Sequence, residues 1–352
     1  MILSKEQLEK FVAEIEPLDD GIMDVAQYRL DHLTKPRGSL GRLESMARRV
    51  CGIRESLTPV LKNKVILTFA GDHGVVEEGV SSVPQEVTRQ MVYNFLAGGA
   101  GVNVLARHVG AEVRVIDVGV ATPLDAEGLF CHKVKHGTDN MMKGPAMTEE
   151  EALAAVAVGM ECGAKAISDG AQILGTGEMG IGNTTPSAAL FAALLELDVA
   201  DVTGRGTGVD DKTLNHKIDV IRRSLAINSK LLCSPLEILA AVGGLEIAAI
   251  CGMILEAARR RVPVVVDGFI SSAGALVAMK LNRIALDYCF FSHLSAEQGH
   301  RHFFATTGLK PILHLDMRLG EGTGAALAME LIEASVKIIT EMATFDEAGV
   351  NA

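Results

Sequence analysis

Apolar and polar positions follow two different periods along this chain. The first sixty residues show helical periodicity with polar outer faces, interrupted at residues 34–38. Ser4 precedes the first charged amphipathic stretch and is predicted to be its N-cap. From residue 61 onward, short continuous apolar runs alternate with longer helical patterns. These runs, each predicted to be a buried strand, are 64–70, 112–118, 171–174, 262–266, 286–291 and 311–317.

Continuous apolar strands separated by helices are typical of a parallel sheet that helices cover on both faces. The pattern therefore predicts an α/β fold, three-layer α/β/α, with a mostly parallel, doubly wound (Rossmann-like) sheet. We expect the N-terminal and C-terminal helices to form a small helical subdomain of residues 1–60 with 325–352. Residues 61–324 would then form the α/β domain that carries the chemistry, and no linker rich in Pro, Ser or charge separates the two parts.

Glycine or polar clusters follow nearly every predicted strand. In doubly wound sheets, ligands bind beyond the carboxyl ends of the strands. The clusters are therefore predicted to meet in one shared site.

Composition narrows the class of partner. Hydrophobic residues make up 48% of the 352 residues but aromatic residues only 4%, and 36 residues are glycine. The formal net charge of −11 argues against a nucleic acid or an acidic membrane surface as a partner. A local basic pocket for one phosphate remains open.

The cysteine spacing and the apolar segments indicate the cellular compartment in which the protein is expected. The six cysteines are scattered and form no CxxC pair, which favours reduced core thiols over disulfides or a zinc site. The most apolar window, 240–255, contains Glu246 and several glycines, and is predicted to be a buried helix. The N-terminal segment reads as a capped helix and not as a signal peptide. We expect a soluble, cytoplasmic protein.

One carboxylate, Glu321, lies between Gly320 and Gly322 at the start of a helical pattern that covers residues 325–343. Glycines in such a turn let the backbone approach a ligand closely. Glu321 is therefore either a base held against a small molecule or an incidental acid in a tight connection.

A second glycine-rich segment, 175–186, formally contains G-x-G-x-x-G after a strand. This match leaves a dinucleotide-dependent oxidoreductase open, although Glu178 within it would repel a pyrophosphate and suits ribose hydroxyls better. Asn183 and Thr184 are predicted to cap the next helix, and the exposed amides there suit a phosphate.

A third glycine-rich loop, 204–208, leads into a helix that carries Lys217, a candidate phosphate ligand. Arg222 and Arg223 on the same helix are predicted to form a solvated face. Asp267 is a lone acid at a strand end, and the absence of a second acid beside it argues against a magnesium-pyrophosphate donor.

A metal site is the alternative for His293, Glu297 and His300, which would share one face if their segment were helical. Asp72 and His73 would supply further ligands. Gly299 interrupts the segment and no HExxH spacing occurs, so the pattern favours turns and phosphate contacts. A serine hydrolase lacks its G-x-S-x-G motif.

Six motifs in order give the chain a resemblance that covers almost its whole length. They are 35–44, 72–75, 177–186, 267–269, 292–297 and 317–329. Together they resemble the nicotinate-nucleotide:dimethylbenzimidazole phosphoribosyltransferase family. The resemblance implies transfer of 5-phosphoribosyl from nicotinate mononucleotide to a benzimidazole base in cobalamin synthesis, by a homodimer that needs no metal or other cofactor. A non-catalytic nucleotide-binding protein is the remaining alternative class.

The resemblance also implies roles for individual residues. Glu321 matches the family's general base. The residues matching or adjoining the substrate-binding set are Gly177, Glu178, Asn183, Thr184, Lys217, Asp267, Ser295, Gly320 and Gly322. The base pocket is implied to contain Val83, Met91 and Leu319. Some relatives have Ser and Gln where this chain has Val83 and Met91, which leaves the preferred acceptor base open, adenine included.

Overall fold

The central sheet has six strands. A computed structural model describes residues 3–206 and 208–351 of the chain. The strands are β1 (Lys64–Gly71), β2 (Ala111–Gly119), β3 (Leu129–Cys131), β4 (Ile173–Met179), β5 (Val264–Val266) and β6 (Cys289–Phe291). All of their pairings are parallel, in the order β3-β2-β1-β4-β5-β6. The prediction of a doubly wound α/β fold is confirmed.

Helices precede, connect and follow these strands. The α-helices before β4 are α1 (Lys5–Ala13), α2 (Asp20–Asp31), α3 (Arg42–Arg54), α4 (Glu86–Leu96), α5 (Gly101–Val109) and α6 (Glu149–Ser168). Those after β4 are α7 (Thr184–Leu195), α8 (Val199–Val202), α9 (Asp211–Ile227), α10 (Pro235–Val242), α11 (Leu245–Arg259), α12 (Phe269–Leu281), α13 (Gln298–Thr307), α14 (Thr323–Glu341) and α15 (Phe345–Ala348). Short 3₁₀ helices cover Gly74–Glu78, Ser229–Leu231 and Arg283–Tyr288.

The strand order reverses between β1 and β4. The chain first moves outward from β1 to β2 and β3, and then returns to β4 on the other side of β1. In parallel sheets the crevice beyond this switch point is the usual ligand site. The residues just after β1 and β4 are therefore placed at the centre of the molecule.

The buried core depends on close packing between α6 and α11. A Cβ on Gly159 of α6 would lie 1.8 Å from the carbonyl oxygen of Ala249, and one on Gly252 of α11 would lie 1.9 Å from that of Val156. Glycine is thus required where these helices cross. The predicted buried helix over 240–255 is divided at Gly243 between α10 and α11, and both helices are almost entirely buried.

Two strand predictions need correction. The segment 311–317 forms no strand, and only an isolated parallel bridge joins His293 to Leu313. Its apolar side chains do not all enter the core, since Leu315 is 53% exposed. Residues 286–288, the start of another predicted strand, belong to a 3₁₀ helix, and β6 begins only at Cys289.

The glycines predicted to form a turn at 175–177 lie inside β4. A Cβ on Gly175 would lie 2.8 Å from Met329 Cε of α14, so glycine is needed there for the helix to pack on the strand. The dinucleotide fingerprint therefore does not form a strand-to-helix turn. Its first two glycines serve sheet packing.

A small apolar cluster lies apart from the main core. Helices α2, α3 and α14 and the residue Leu33, which follows α2, contribute to it. Its members are Ala26, Leu30, Leu33, Ala47, Cys51 and Ile339. This cluster agrees with a helical subdomain, whereas Ala325 and Met329 in the first half of α14 pack on the sheet. The division at residue 325 remains a prediction.

The structure tests the predictions of reduced core cysteines and of a buried helix in place of a membrane span. Cys51, Cys162, Cys251 and Cys289 are buried free thiols, but Cys131 and Cys233 are exposed, so the prediction that all lie in the core is wrong for two. No helix within residues 3–206 and 208–351 is both long enough and apolar enough to cross a membrane.

Candidate active site

A pocket of about 310 Å³ opens beyond the carboxyl ends of the central strands. Six parts of the chain meet around it. They contribute Val80, Ser81 and Met91; residues 178–184; Arg205, Gly206 and Lys217; residues 268–270; His293, Ser295 and Glu297; and residues 318–321. The motifs that follow β4, β5, β6 and the segment 311–317 therefore meet at this pocket, as predicted, whereas residues 71–74 after β1 and Gly119 after β2 do not line it.

Glu321 occupies a strained turn at the pocket wall. Gly320, Glu321 and Gly322 all have positive φ, at 81°, 65° and 103°. A left-handed backbone costs a non-glycine residue roughly 1–2 kcal/mol. Such strain persists only where surrounding contacts impose it, and it is concentrated at functional sites.

Asp267 fixes this turn through hydrogen bonds to its backbone and to the start of α14. Its carboxylate accepts hydrogen bonds from the backbone amides of Gly322, at 3.1 Å, and Ala325, at 2.9 Å. Burial raises the pKa of Asp267 to about 7, and the backbone amides oppose that rise. Asp267 does not line the pocket, so its contacts are those of a positioning residue for Glu321.

The Glu321 carboxylate is buried, with 6% of the residue exposed. Its Oε2 accepts a hydrogen bond of 3.4 Å from the amide of Val102 in the first turn of α5. Burial raises the pKa of Glu321, the Val102 amide lowers it and nearby Asp267 raises it further. The outcome is a carboxylate with more affinity for a proton than an exposed glutamate has.

Glu178, which contacts the Glu321 turn, is the second-last residue of β4. Its Oε1 accepts from the Glu321 amide at 3.4 Å, and its Oε2 accepts from Asn183 Nδ2 at 2.5 Å. Burial first, and then the charge of Asp267, raise the pKa of Glu178 to about 8. Two carboxyl groups with raised pKa values, those of Glu178 and Glu321, therefore line the same pocket.

A second part of the pocket wall, here called its basic end, contains Lys217, with Glu297 close to it. Lys217 of α9 is buried, and its Nζ donates to Thr184 Oγ1 at 2.6 Å and to the carbonyl of Gly204 at 3.5 Å. Burial lowers the pKa of Lys217 to about 8, and the charge of Glu297 opposes this shift. Thr184 is the first residue of α7, where helical amides and the helix dipole favour an anion.

Two arginines add positive charge at this end. Arg205 pairs with Asp211 and donates to the carbonyl of Val209, and Arg318 donates to the carbonyl of Gly206. Both line the pocket. The third glycine loop thus contributes to the basic end, although Thr207 within it lies outside the described residues.

The segment from His293 to His300 is fixed by hydrogen bonds and is not one helix. The amide of Ser295 donates to His300 Nδ1 at 3.0 Å, and His300 Nε2 lies 3.0 Å from Ser272 Oγ. Because α13 begins only at Gln298, His293, Glu297 and His300 do not share the helical face that the disfavoured metal alternative required. No group of three or more His, Cys, Asp or Glu side chains in the described chain is arranged to hold a metal ion.

Most predicted site residues reach the pocket wall. Those lining it are Met91, Glu178, Asn183, Thr184, Lys217, Ser295, Leu319, Gly320 and Glu321. Those outside the lining are Val83, Gly177, Asp267 and Gly322. Gly177 and Gly322 instead permit the close approach between β4 and the Glu321 turn.

Asn183 departs from its predicted capping role. It holds the N-cap position of α7, but its backbone is helical and its side chain makes no capping bond. The amide group binds Glu178 instead. Sequence reasoning missed Arg205 and Arg318 as pocket residues, although both lie within glycine-rich segments that it singled out.

Gly177→Ala is expected to lower the free energy of unfolding by about 1–3 kcal/mol, the usual range for overpacking. An added Cβ would lie 2.4 Å from the carbonyl oxygen of Glu321 and 2.6 Å from Thr68 Oγ1. Urea unfolding measures the loss. Gly163→Ala in α6 is the matched control, because its Cβ would meet nothing closer than 3.4 Å. Equal stability of the two variants would contradict the packing role of Gly177.

Comparison with known proteins gives consistent matches over nearly the whole chain. A family model described as DBI_PRT, phosphoribosyltransferase, matches residues 15–350. The nicotinate-nucleotide–dimethylbenzimidazole phosphoribosyltransferase of Geotalea uraniireducens (strain Rf4) is 58% identical over 344 residues, covering 97% of this chain and 98% of the relative. The protein of the same name from Chlorobium chlorochromatii (strain CaD3) is 57% identical, covering 99% and 98%.

A solved structure shows the same fold. The crystal structure of CobT from Thermus thermophilus superimposes with a TM-score of 0.91 at 49% identity, covering 94% of this chain and 99% of that one. The structural similarity therefore extends over nearly the whole chain.

Proposed function

This chain belongs to the DBI_PRT family of phosphoribosyltransferases, and we propose that it transfers 5-phosphoribosyl from nicotinate mononucleotide to 5,6-dimethylbenzimidazole or a related base. The products are α-ribazole 5′-phosphate and nicotinate, in the assembly of the cobalamin nucleotide loop. The observation that carries the proposal is the 58% identity, over 98% of its length, to an enzyme of that name.

The reaction exchanges one C–N bond for another with inversion at the anomeric carbon. The bond from the ribose C1′ to the pyridinium nitrogen breaks, and its electron pair neutralises the leaving nicotinate ring. A benzimidazole nitrogen donates its lone pair to C1′, and the proton on the other ring nitrogen must leave. We propose Glu321 as the general base that takes this proton, because its pKa is raised toward the working range of a base.

The basic and the acidic parts of the pocket wall suit the phosphate and the ribose of the nucleotide, respectively. Lys217, Thr184, Arg205 and Arg318 would hold the 5′-phosphate through charge-assisted hydrogen bonds. Glu178 would lie at the ribose, and Met91 and Leu319 would contact the base. An ionised Glu321 facing C1′ would also stabilise the positive charge that develops on the sugar.

The pH dependence of turnover should have two limbs. As pH falls through the raised pKa of Glu321, the base becomes protonated and kcat falls. As pH rises through about 8, free Lys217 loses its proton and kcat/KM for nicotinate mononucleotide falls. Initial rates across pH measure both limbs. With saturating nucleotide the alkaline limb should move to higher pH, since bound phosphate keeps Lys217 charged; an unmoved limb would exclude Lys217 as its source.

The direct test of the proposed function is incubation of the protein with nicotinate mononucleotide and a panel of bases, followed by mass analysis. Nicotinate release that requires the acceptor base, together with a ribosylated base, is the expected result. An absorbance change of a nicotinamide dinucleotide with no transfer product would favour an oxidoreductase. Binding without any product would favour a nucleotide-binding protein.

We also propose that the enzyme acts as a homodimer in the cytoplasm, as the resemblance implies for the family. Tyr28 and Val25 of α2 are exposed by 67% and 49%, which supports an apolar contact near residues 35–44. Light scattering after size-exclusion chromatography should give the mass of two chains. Tyr28→Glu should shift that mass toward one chain if this face is the interface.

A further inference from the structure

The imidazole of His293 is a part of the pocket wall that the proposed mechanism does not use. His293 lies two residues after β6, is 1% exposed and lines the pocket beside Gly268. Its Nε2 is buried and has no hydrogen-bond partner among the described residues. A buried polar atom without a partner is costly, and in a pocket it marks a place where a ligand supplies the missing bond.

The hydrogen bonds around Ser292 determine which ring nitrogen carries the proton. Ser292 Oγ donates to the backbone carbonyl of Asp267 at 2.8 Å, and the same Oγ lies 3.0 Å from His293 Nδ1. A serine hydroxyl has one proton, and the carbonyl can only accept. Both contacts are hydrogen bonds only if Nδ1 carries the ring proton and donates it to Ser292. The lone pair of Nε2 is then free to accept.

Two glycines leave the space that the His293 ring occupies. A Cβ on Gly324 would lie 2.1 Å from His293 Nδ1, and one on Gly268 would lie 3.3 Å from Cε1 and 3.5 Å from Nε2. The imidazole therefore lies close to the backbones of both glycines, and a side chain at either position would crowd it. Burial also lowers the pKa of His293 to about 4, so the ring stays neutral near pH 7 and Nε2 stays an acceptor.

A pure acceptor selects a ligand group that donates. On the proposed function, the substrates offer few donors. The phosphate and carboxylate of nicotinate mononucleotide accept, its pyridinium nitrogen has no proton, and the single N–H of the benzimidazole is assigned to Glu321. Only the 2′- and 3′-hydroxyl groups of the ribose remain as donors. Glu178 is proposed to accept from one of them, which leaves the other hydroxyl group for His293.

We propose that His293 Nε2 accepts a hydrogen bond from a ribose hydroxyl of nicotinate mononucleotide and so fixes the sugar for attack at C1′. This inference rests on the proposed function and adds a substrate-recognition residue to it. Ser292 is the positioning residue that sets the tautomer. The site thereby distinguishes ribonucleotides from deoxyribonucleotides through one neutral imidazole.

The experiment compares the wild-type protein, His293→Leu and His293→Gln with nicotinate mononucleotide and its 2′-deoxy and 3′-deoxy analogues. Leucine removes the acceptor, whereas glutamine can place its Oε1 near the same position. In the wild type, one analogue should bind about 10-fold or more weakly than the ribonucleotide by calorimetry, the usual effect of an unpaired buried group. In His293→Leu the affinity for the ribonucleotide should fall by about the same factor. The ribonucleotide and that analogue should then bind with equal affinity.

His293→Gln should restore part of both the affinity and the discrimination, which a purely structural role would not predict. Because a missing 2′-hydroxyl also changes the reactivity of the glycosidic bond, the comparison between proteins is diagnostic in turnover assays. Unchanged discrimination in a folded His293→Leu protein would overturn the proposal. Failure of the proposed function is a separate result, namely nucleotide binding by the wild type with no base-dependent nicotinate release.

Discussion

Glu321→Gln lowers kcat by about 10²-fold or more, the usual size of a lost general base, while KM for nicotinate mononucleotide changes little. Glutamine keeps the shape of the side chain and can still occupy the left-handed turn beside Gly320 and Gly322. It cannot take a proton from the attacking benzimidazole. Steady-state rates with 5,6-dimethylbenzimidazole measure the effect, and circular dichroism checks that the fold is retained.

A methylated acceptor separates the base from a structural role. The ring of 1,5,6-trimethylbenzimidazole attacks through its free nitrogen and has no N–H proton to lose. Glu321→Gln should therefore be impaired far less with this acceptor than with 5,6-dimethylbenzimidazole, because only the contribution of Glu321 to stabilising the sugar charge is lost. If Glu321→Gln is equally impaired with both acceptors, Glu321 acts on the sugar or the fold and not on the proton.

Lys217→Met raises KM for nicotinate mononucleotide by about 10- to 100-fold, with a smaller effect on kcat. A hydrogen bond to a charged group contributes about 1.5–3 kcal/mol, which corresponds to this range. Methionine fills the same buried volume without the ammonium group. Initial rates against nucleotide concentration at saturating base measure the change.

Two controls make this result specific to the phosphate. Arg222→Met on the same helix should leave KM unchanged, since Arg222 is exposed and pairs with Asp198 at the surface. Nicotinate riboside, which lacks the phosphate, should be used equally well by the wild type and by Lys217→Met. A loss of the same size with the riboside would show that Lys217 supports the fold and not the phosphate.

The layers of the fold could be predicted because their signals are local. Residues 64–70 and 112–118 are rich in β-branched and other apolar residues, and β1 and β2 cover them, although the first half of β2 also carries charged residues and is only partly buried. The segment 311–317, which is exposed only in its middle, has similar apolar content, and nothing local distinguishes it. Its state depends on hydrogen bonds between Leu313 and the residues after β6, which only the tertiary structure supplies.

The site was less predictable for a related reason. Glu321 could be singled out from its glycine turn, yet the sequence does not tell whether Asp267 faces the substrate or the backbone. The structure gives its carboxylate two amide partners in the Glu321 turn. Gly177 likewise reads as a ligand-binding glycine, whereas its lack of a side chain admits the Glu321 carbonyl. Such roles follow from neighbours distant in the chain.

Glutamate in the left-handed backbone at position 321 lowers the stability of the fold, although turnover requires its carboxylate. A glycine would adopt the same turn without steric strain and would leave no carboxylate to be desolvated. A population of variants sorted only by heat resistance would therefore drift away from glutamate at this position. Only a screen that counts product molecules would keep it, so thermal enrichment alone is an unsafe guide to engineering this chain.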